Sequence, residues 1–200
     1  MLPKHLQFKQ QVCVGIYMLF NDEKMAQMSA YFLQKRGGRM SYLKLMKMLY
    51  LSDRKSLEVT GESISGDEHY SMRHGPILSQ TYDLICGATD SEVWDSWIRA
   101  ESNHEVSLKR SFTLDDLGEL SPFDIEVMDE VWEEVGKMKR WELVEYTHRL
   151  PEWKSPGTSS APIDPRSQFI ALGKTAEQAE DLHAALLERR ALDRALADLR

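Results

Sequence analysis

Three histidines are the first residues that could do chemistry. His69 and His74 stand five positions apart, and His104 opens a later segment of alternating polarity. A zinc site needs three or four converging nitrogen, sulfur or oxygen ligands. The chain has no HExxH and no paired Cys/His spacing, so no metal centre is expected. Ser71, Ser79 and Ser160 lack the GxSxG setting that exposes a nucleophilic hydroxyl. "GKT" at Gly173–Thr175 ends like a phosphate loop, but Gln168 stands where such a loop requires its first glycine. Carboxylates are abundant from Asp115 to Glu134, yet most fall on one helix and its approach. Acid–base or metal-assisted hydrolysis needs carboxylates converging from separate elements, so a solvated acidic face is the plainer reading. No catalytic residue and no cofactor are assigned, and the chain is read as a non-enzyme.

Recognition chemistry is better represented. Tyr70-Ser-Met-Arg73-His74-Gly-Pro76 combines a tyrosine, an arginine and a histidine with a glycine–proline corner, and Trp153 follows in a proline- and serine-rich stretch. Tyrosine, tryptophan and arginine are favoured anchors at protein interfaces. Tyr70, Arg73, His74 and Trp153 are therefore the candidate partner-binding residues, although Arg73-His74 also suits a purely structural corner. Tyr82, Trp94, Trp97, Trp132 and Trp141 add aromatics beyond what a minimal core needs, and Trp132 fits a core position. Lys44, Lys47, Arg54 and Lys55 make the one basic helix face, which solvation explains. The net charge of −7 and the lack of a basic recognition helix argue against a nucleic-acid partner.

These residues must be carried by a mainly helical framework. Met25, Met28, Ala30, Phe32 and Leu33 predict a helix over residues 22–35, closed by Gly37-Gly38. Ser41 is placed to cap a second helix, whose Leu43, Met46, Leu49 and Tyr50 share a face and whose end is Gly61. "HYSMRHG" reads as a short strand, and Pro76 as the first turn of a helix over Ile77–Ile85. Trp94–Ala100 is a short helix. His104–Arg110 alternates like a strand and is a candidate to pair with the Tyr70 segment. Ser121, Pro122 and Asp124 start a helix that Gly136 stops, and further helices are expected over Arg140–His148, Ser167–Leu172 and from Thr175 to near Arg200. In the last of these Leu182, Leu186, Leu192, Leu196 and Leu199 form a stripe that either packs back on the domain or projects as a homodimer or partner helix. The expected architecture is a compact helical domain (residues 1–173) with a small antiparallel β element, followed by a C-terminal amphipathic helix (174–200).

At 200 residues the chain is long enough for one substantial core. Cys13 and Cys86 sit among apolar neighbours without CxxC spacing, which predicts buried thiols in a reducing compartment. The apolar run Val12–Phe20 is too short to span a bilayer, so a cytoplasmic protein without membrane contact is expected.

Taken in order, Tyr31–Ile64 and Tyr70–Ile85 resemble the SocA-like antitoxin family, the Panacea domain. Lys44-Leu45, Lys47-Met48-Leu49-Tyr50, Thr60-Gly61 and His74-Gly75-Pro76-Ile77 fill the places of that family's pattern, and Glu119–Ile163 is similar to its longer members. The likeness runs from about Met25 to Gly173. Many members carry Lys-Tyr or Arg-Tyr before the Gly-Pro corner, where this chain has Arg73-His74. The resemblance implies an antitoxin that binds and neutralises a cognate toxin encoded by an adjacent gene. Two alternatives remain open: an adaptor that delivers the toxin to a protease, and a DNA-binding regulator of its own operon.

Overall fold

A computed structural model describes residues 20–197, so Cys13, Leu199 and all of the apolar N-terminal run except Phe20 lie outside it. Helix α1 (Asp22–Lys35) starts where the Asn21 side chain accepts the backbone N–H groups of Glu23 and Lys24, at 2.9 and 3.2 Å. It ends as Gly38 N–H, at φ +94°, reaches back to Leu33 O at 2.7 Å. A short strand β1 (Arg39–Ser41) leads into α2 (Tyr42–Thr60). Ser41 holds the expected cap position, but its hydroxyl makes no capping bond and is buried without a partner.

Helix α2 is the axis of the fold. Every residue from Lys44 to Asp53 is buried, because helices and strands surround it rather than covering one stripe. Its neighbours are α1, strand β3 (Gly75–Leu78), α5 (Pro122–Val135) and α6 (Arg140–His148). The expected solvated basic face is therefore corrected. Lys44 lies inside, with Nζ donating to Gly136 O at 2.5 Å and Met138 O at 2.8 Å, and Lys47 is fully buried. Leu45 and Leu49 are core residues, while Trp132 sits half-buried at the core's edge.

Two three-stranded antiparallel sheets flank the helices. One has the order β1–β5–β4, with β4 at Ile98–Glu101 and β5 at Glu105–Leu108; the other is β3–β2–β6, with β2 at His69–Met72 and β6 at Ala161–Pro162. Strand β5 thus pairs Met40 with Val106, and not the Tyr70 segment as expected. Pro76 lies in β3 opposite Ser71, on a sheet edge where its missing N–H is harmless. The helix expected to begin there starts later, as α3 (Ser79–Cys86). Its first turn is held by a distant cap: the Asp67 carboxylate accepts Gln80 N–H at 3.0 Å and Thr81 N–H at 2.9 Å. Helix α4 (Glu92–Trp97) stops before Ala100 because Ile98 turns into β4. Cys86, expected to be buried, ends α3 on the surface.

Helices α7 (Pro165–Ala171) and α8 (Ala176–Ala197) close the chain. Phe169, Leu172, Ala179, Leu182 and Leu186 bury a small second cluster against Leu57 of α2. The first half of α8 therefore packs on the domain, tied further by ion pairs from Arg189 to Glu62 and from Arg190 to Glu68. Leu192 and Leu196 of the expected stripe remain exposed. No described helix is long and apolar enough to cross a membrane.

Candidate partner-binding surface

Strands β2 and β3 pair Met72 with Gly75, which leaves Arg73 and His74 as the two exposed residues of a tight hairpin turn. Gly75 follows at φ +94°, a conformation that side chains rarely adopt. A Cβ there would also stand 2.7 Å from Thr147 Oγ1 and 3.1 Å from Lys47 Nζ. The turn is thus pinned from beneath by α6 and α2. Lys47 Nζ donates to Pro76 O at 2.5 Å.

Helix α6 runs along this tip. The His74 ring meets Trp141 edge-on at 5.4 Å, and the Arg140 guanidinium lies 5.4 Å from the same indole. At the other end of α6, His148 stacks on Trp153 at 4.0 Å and bonds the Arg73 backbone. Trp153 Nε1 donates to Met72 O at 3.1 Å. Burial, together with the nearby charges of Lys47 and His74, lowers the His148 pKa against the pull of Glu145, so the ring is mostly neutral at pH 7. Of the expected residues, Arg73, His74 and Trp153 converge here. Tyr70 belongs to the same hairpin but sits half-buried against the core, with Ile77 and Pro162 as its strand partners. Arg140 and His148 were missed as site residues, and Trp141 was visible only as one surplus aromatic. The i, i+7 spacing of Trp141 and His148 puts them on one helix face, the only sequence signal they offer.

The base of the hairpin is held by a buried polar chain. Tyr50 O–H donates to Glu152 Oε1 at 2.9 Å, so its oxygen accepts from Gln168 Nε2 at 3.3 Å. Gln168 Oε1 then faces His69 Nδ1 at 2.9 Å, and Asp53 Oδ2 faces His69 Nε2 at 3.2 Å. Both ring nitrogens face acceptor oxygens, an arrangement that favours the protonated ring beside Asp53. Burial alone would lower its pKa; hydrogen bonds and charge from Asp53, with help from Gln168 and Asp67, outweigh that and raise it. Arg54 completes the chain, with Nε 2.6 Å from Glu152 Oε1.

The sequence model of the SocA-like antitoxin family, the Panacea domain, matches residues 45–154, from within α2 through the hairpin and α6 to the residue after Trp153. The chain belongs to that family. Searches of curated proteins and of solved structures return no match.

The histidines singled out in the sequence lie apart from one another in this Panacea domain. His69 is buried, His74 is at the hairpin tip, and His104 packs edge-on against Tyr42 at 5.8 Å. Among the described residues no group of three or more His, Cys, Asp or Glu side chains is placed to hold a metal. Glu126, Asp129, Glu130, Glu133 and Glu134 of α5 line an open acidic groove together with Pro122 and Ile125. Several serve as structural acceptors: Asp129 for Tyr31 O–H at 2.5 Å and Lys35 at 2.6 Å, Glu130 for Lys55 at 3.2 Å, and Glu134 for Tyr146 O–H at 2.6 Å.

Proposed function

We propose that this chain is an antitoxin that neutralises its toxin by direct protein–protein binding, through a surface centred on Arg73 and His74 with Trp153 and the edge of Tyr70. The toxin is expected to be encoded by an adjacent gene. Family membership supports the antitoxin role. The observation that carries the surface is the hairpin tip: two exposed polar residues held rigid by Gly75, Lys47 and Trp153 and flanked by an exposed indole. A pre-organised tip of this kind loses little conformational freedom on binding, so more of its contact energy appears as affinity.

A binder acts in proportion to its amount. Titrating antitoxin expression against toxin should give half-protection near equal molar levels, with a stable complex on co-purification. Arg73→Ala/His74→Ala should keep the far-UV circular dichroism spectrum and lose most of the protection; interface anchors of these types cost about 2 kcal/mol or more on truncation. Full protection by the folded double variant would refute the surface. Protection at sub-stoichiometric levels without a complex would refute neutralisation by binding and favour delivery to a protease.

A further inference from the structure

The arginines of the described residues divide into paired and unpaired ones. Arg39, Arg54, Arg166, Arg189 and Arg190 each meet a carboxylate. Arg73 and Arg140 are exposed and, like Arg36, Arg99, Arg110 and Arg149, have no ion-pair partner among the described residues. Arg140 lies beside Trp141, which is 51% exposed, and Arg73 precedes His74, whose ring meets the same indole. Arg140 and Trp141 also occupy the first turn of α6, whose backbone N–H groups point the positive end of the helix toward the tip. Of the carboxylates on and just after α6, Glu142 accepts Lys139 N–H at 2.7 Å and Glu152 is buried under Tyr50 and Arg54. Glu145, which acts on His148, is exposed. An unpaired, cationic and aromatic surface on a protein of net charge −7 is a local inversion of the overall field.

We infer that this surface receives a carboxylate-bearing segment of the partner protein, with acidic side chains on Arg73 and Arg140 and an apolar residue against Trp141. The inference rests on the proposed partner surface and names the chemistry of what binds there. Arginine suits the role because its planar fork takes a carboxylate through two parallel N–H···O bonds. A short acidic segment fits better than a nucleic acid. Two arginines suffice for a short segment, whereas nucleic-acid affinity rests on many phosphate contacts and is opposed by the net charge of −7.

The test uses the full-length chain, with the tryptophan indole N–H signals of Trp141 and Trp153 followed by NMR. Probes are capped oligoglutamate, oligolysine and oligothymidylate. Oligoglutamate should move both indole signals while oligolysine should not. The apparent affinity should fall about tenfold from about 20 mM to about 200 mM NaCl. Arg73→Glu/Arg140→Glu should weaken it at least about tenfold, with an unchanged circular dichroism spectrum. Absence of any indole movement with oligoglutamate, or equal binding by the charge-reversed variant, would overturn the inference. So would oligothymidylate binding the same site more tightly than oligoglutamate, which would assign the surface to nucleic acid. The toxin-protection assay fails independently. If Arg73→Ala/His74→Ala protects fully while oligoglutamate still binds the native tip, the toxin-binding surface lies elsewhere and only the acidic-segment chemistry stands.

Discussion

Lys47 tests the packing beneath the hairpin most sharply. Its side chain is fully buried, and its Nζ meets only the Pro76 carbonyl, at 2.5 Å. Burial lowers its pKa from the ordinary 10.5 to about 7. The folded-state value thus lies below the unfolded one, and between pH 7 and 10.5 the unfolded chain binds more protons than the folded one. Stability gains from Lys47 as pH rises through that window and loses as pH falls toward 7. At about 1.4 kcal/mol per pH unit, the interval from about pH 7.5 to about pH 9.5 contributes about 2 kcal/mol. Higher pH is avoided because Tyr82, through its bond with Cys86, and Tyr146, through burial, are pushed up to about 12, so that unfolded tyrosines ionise first and reverse the trend. Urea denaturation of the native chain and Lys47→Met across this interval isolates the effect. Methionine keeps the length of the side chain and forfeits one hydrogen bond, worth about 1 kcal/mol. The native chain should gain about 2 kcal/mol on the variant between the two pH values, because contributions from other groups are common to both. Parallel pH profiles would show that Lys47 remains charged inside the fold, and the reasoning from its burial would be wrong.

Two further substitutions probe the same support. Gly75→Ala should cost about 2 kcal/mol or more, because φ is +94° and the new methyl meets Thr147 and Lys47; Gly37→Ala, at φ +90° with nothing within 4 Å, should cost only about 1 kcal/mol, and equal losses in thermal unfolding would remove the clash from the account. Asp53→Asn should destabilise by about 3 kcal/mol or more by breaking the buried Asp53–His69 pair, and should bring the His69 pKa, read from its ring proton signals, below its ordinary 6.5 instead of above it. The sign follows: the native Asp53–His69 pair contributes fully below pH 6.5 and is lost as pH rises through the raised folded value.

What could be read in the chain was what neighbouring residues decide. Helix α5 is specified by its own Ser121–Asp124 capping box and Pro122, and α1 and α6 match their expected bounds. Strands β1 and β6, and the start of α3, depend on partners that no local pattern announces: Met40 on Val106, Tyr70 on Pro162, and α3 on the Asp67 carboxylate. The candidate surface divides the same way. Arg73 and His74 were legible as residue types at a Gly-Pro corner and Trp153 in a proline- and serine-rich stretch, whereas Arg140, Trp141 and His148 join them only because α6 packs beside β3. The basic face of α2 failed for a more instructive reason. Helical periodicity places Lys44 and Lys47 opposite the apolar stripe, but it is blind to the carbonyls of Pro76, Gly136 and Met138 that receive them. Lysine tolerates that burial because it can give up its proton; arginine, with its far higher pKa, cannot. The cations around the hairpin are sorted by this difference. Lys47 goes inside to hold the turn, while Arg73 and Arg140 stay exposed at the surface.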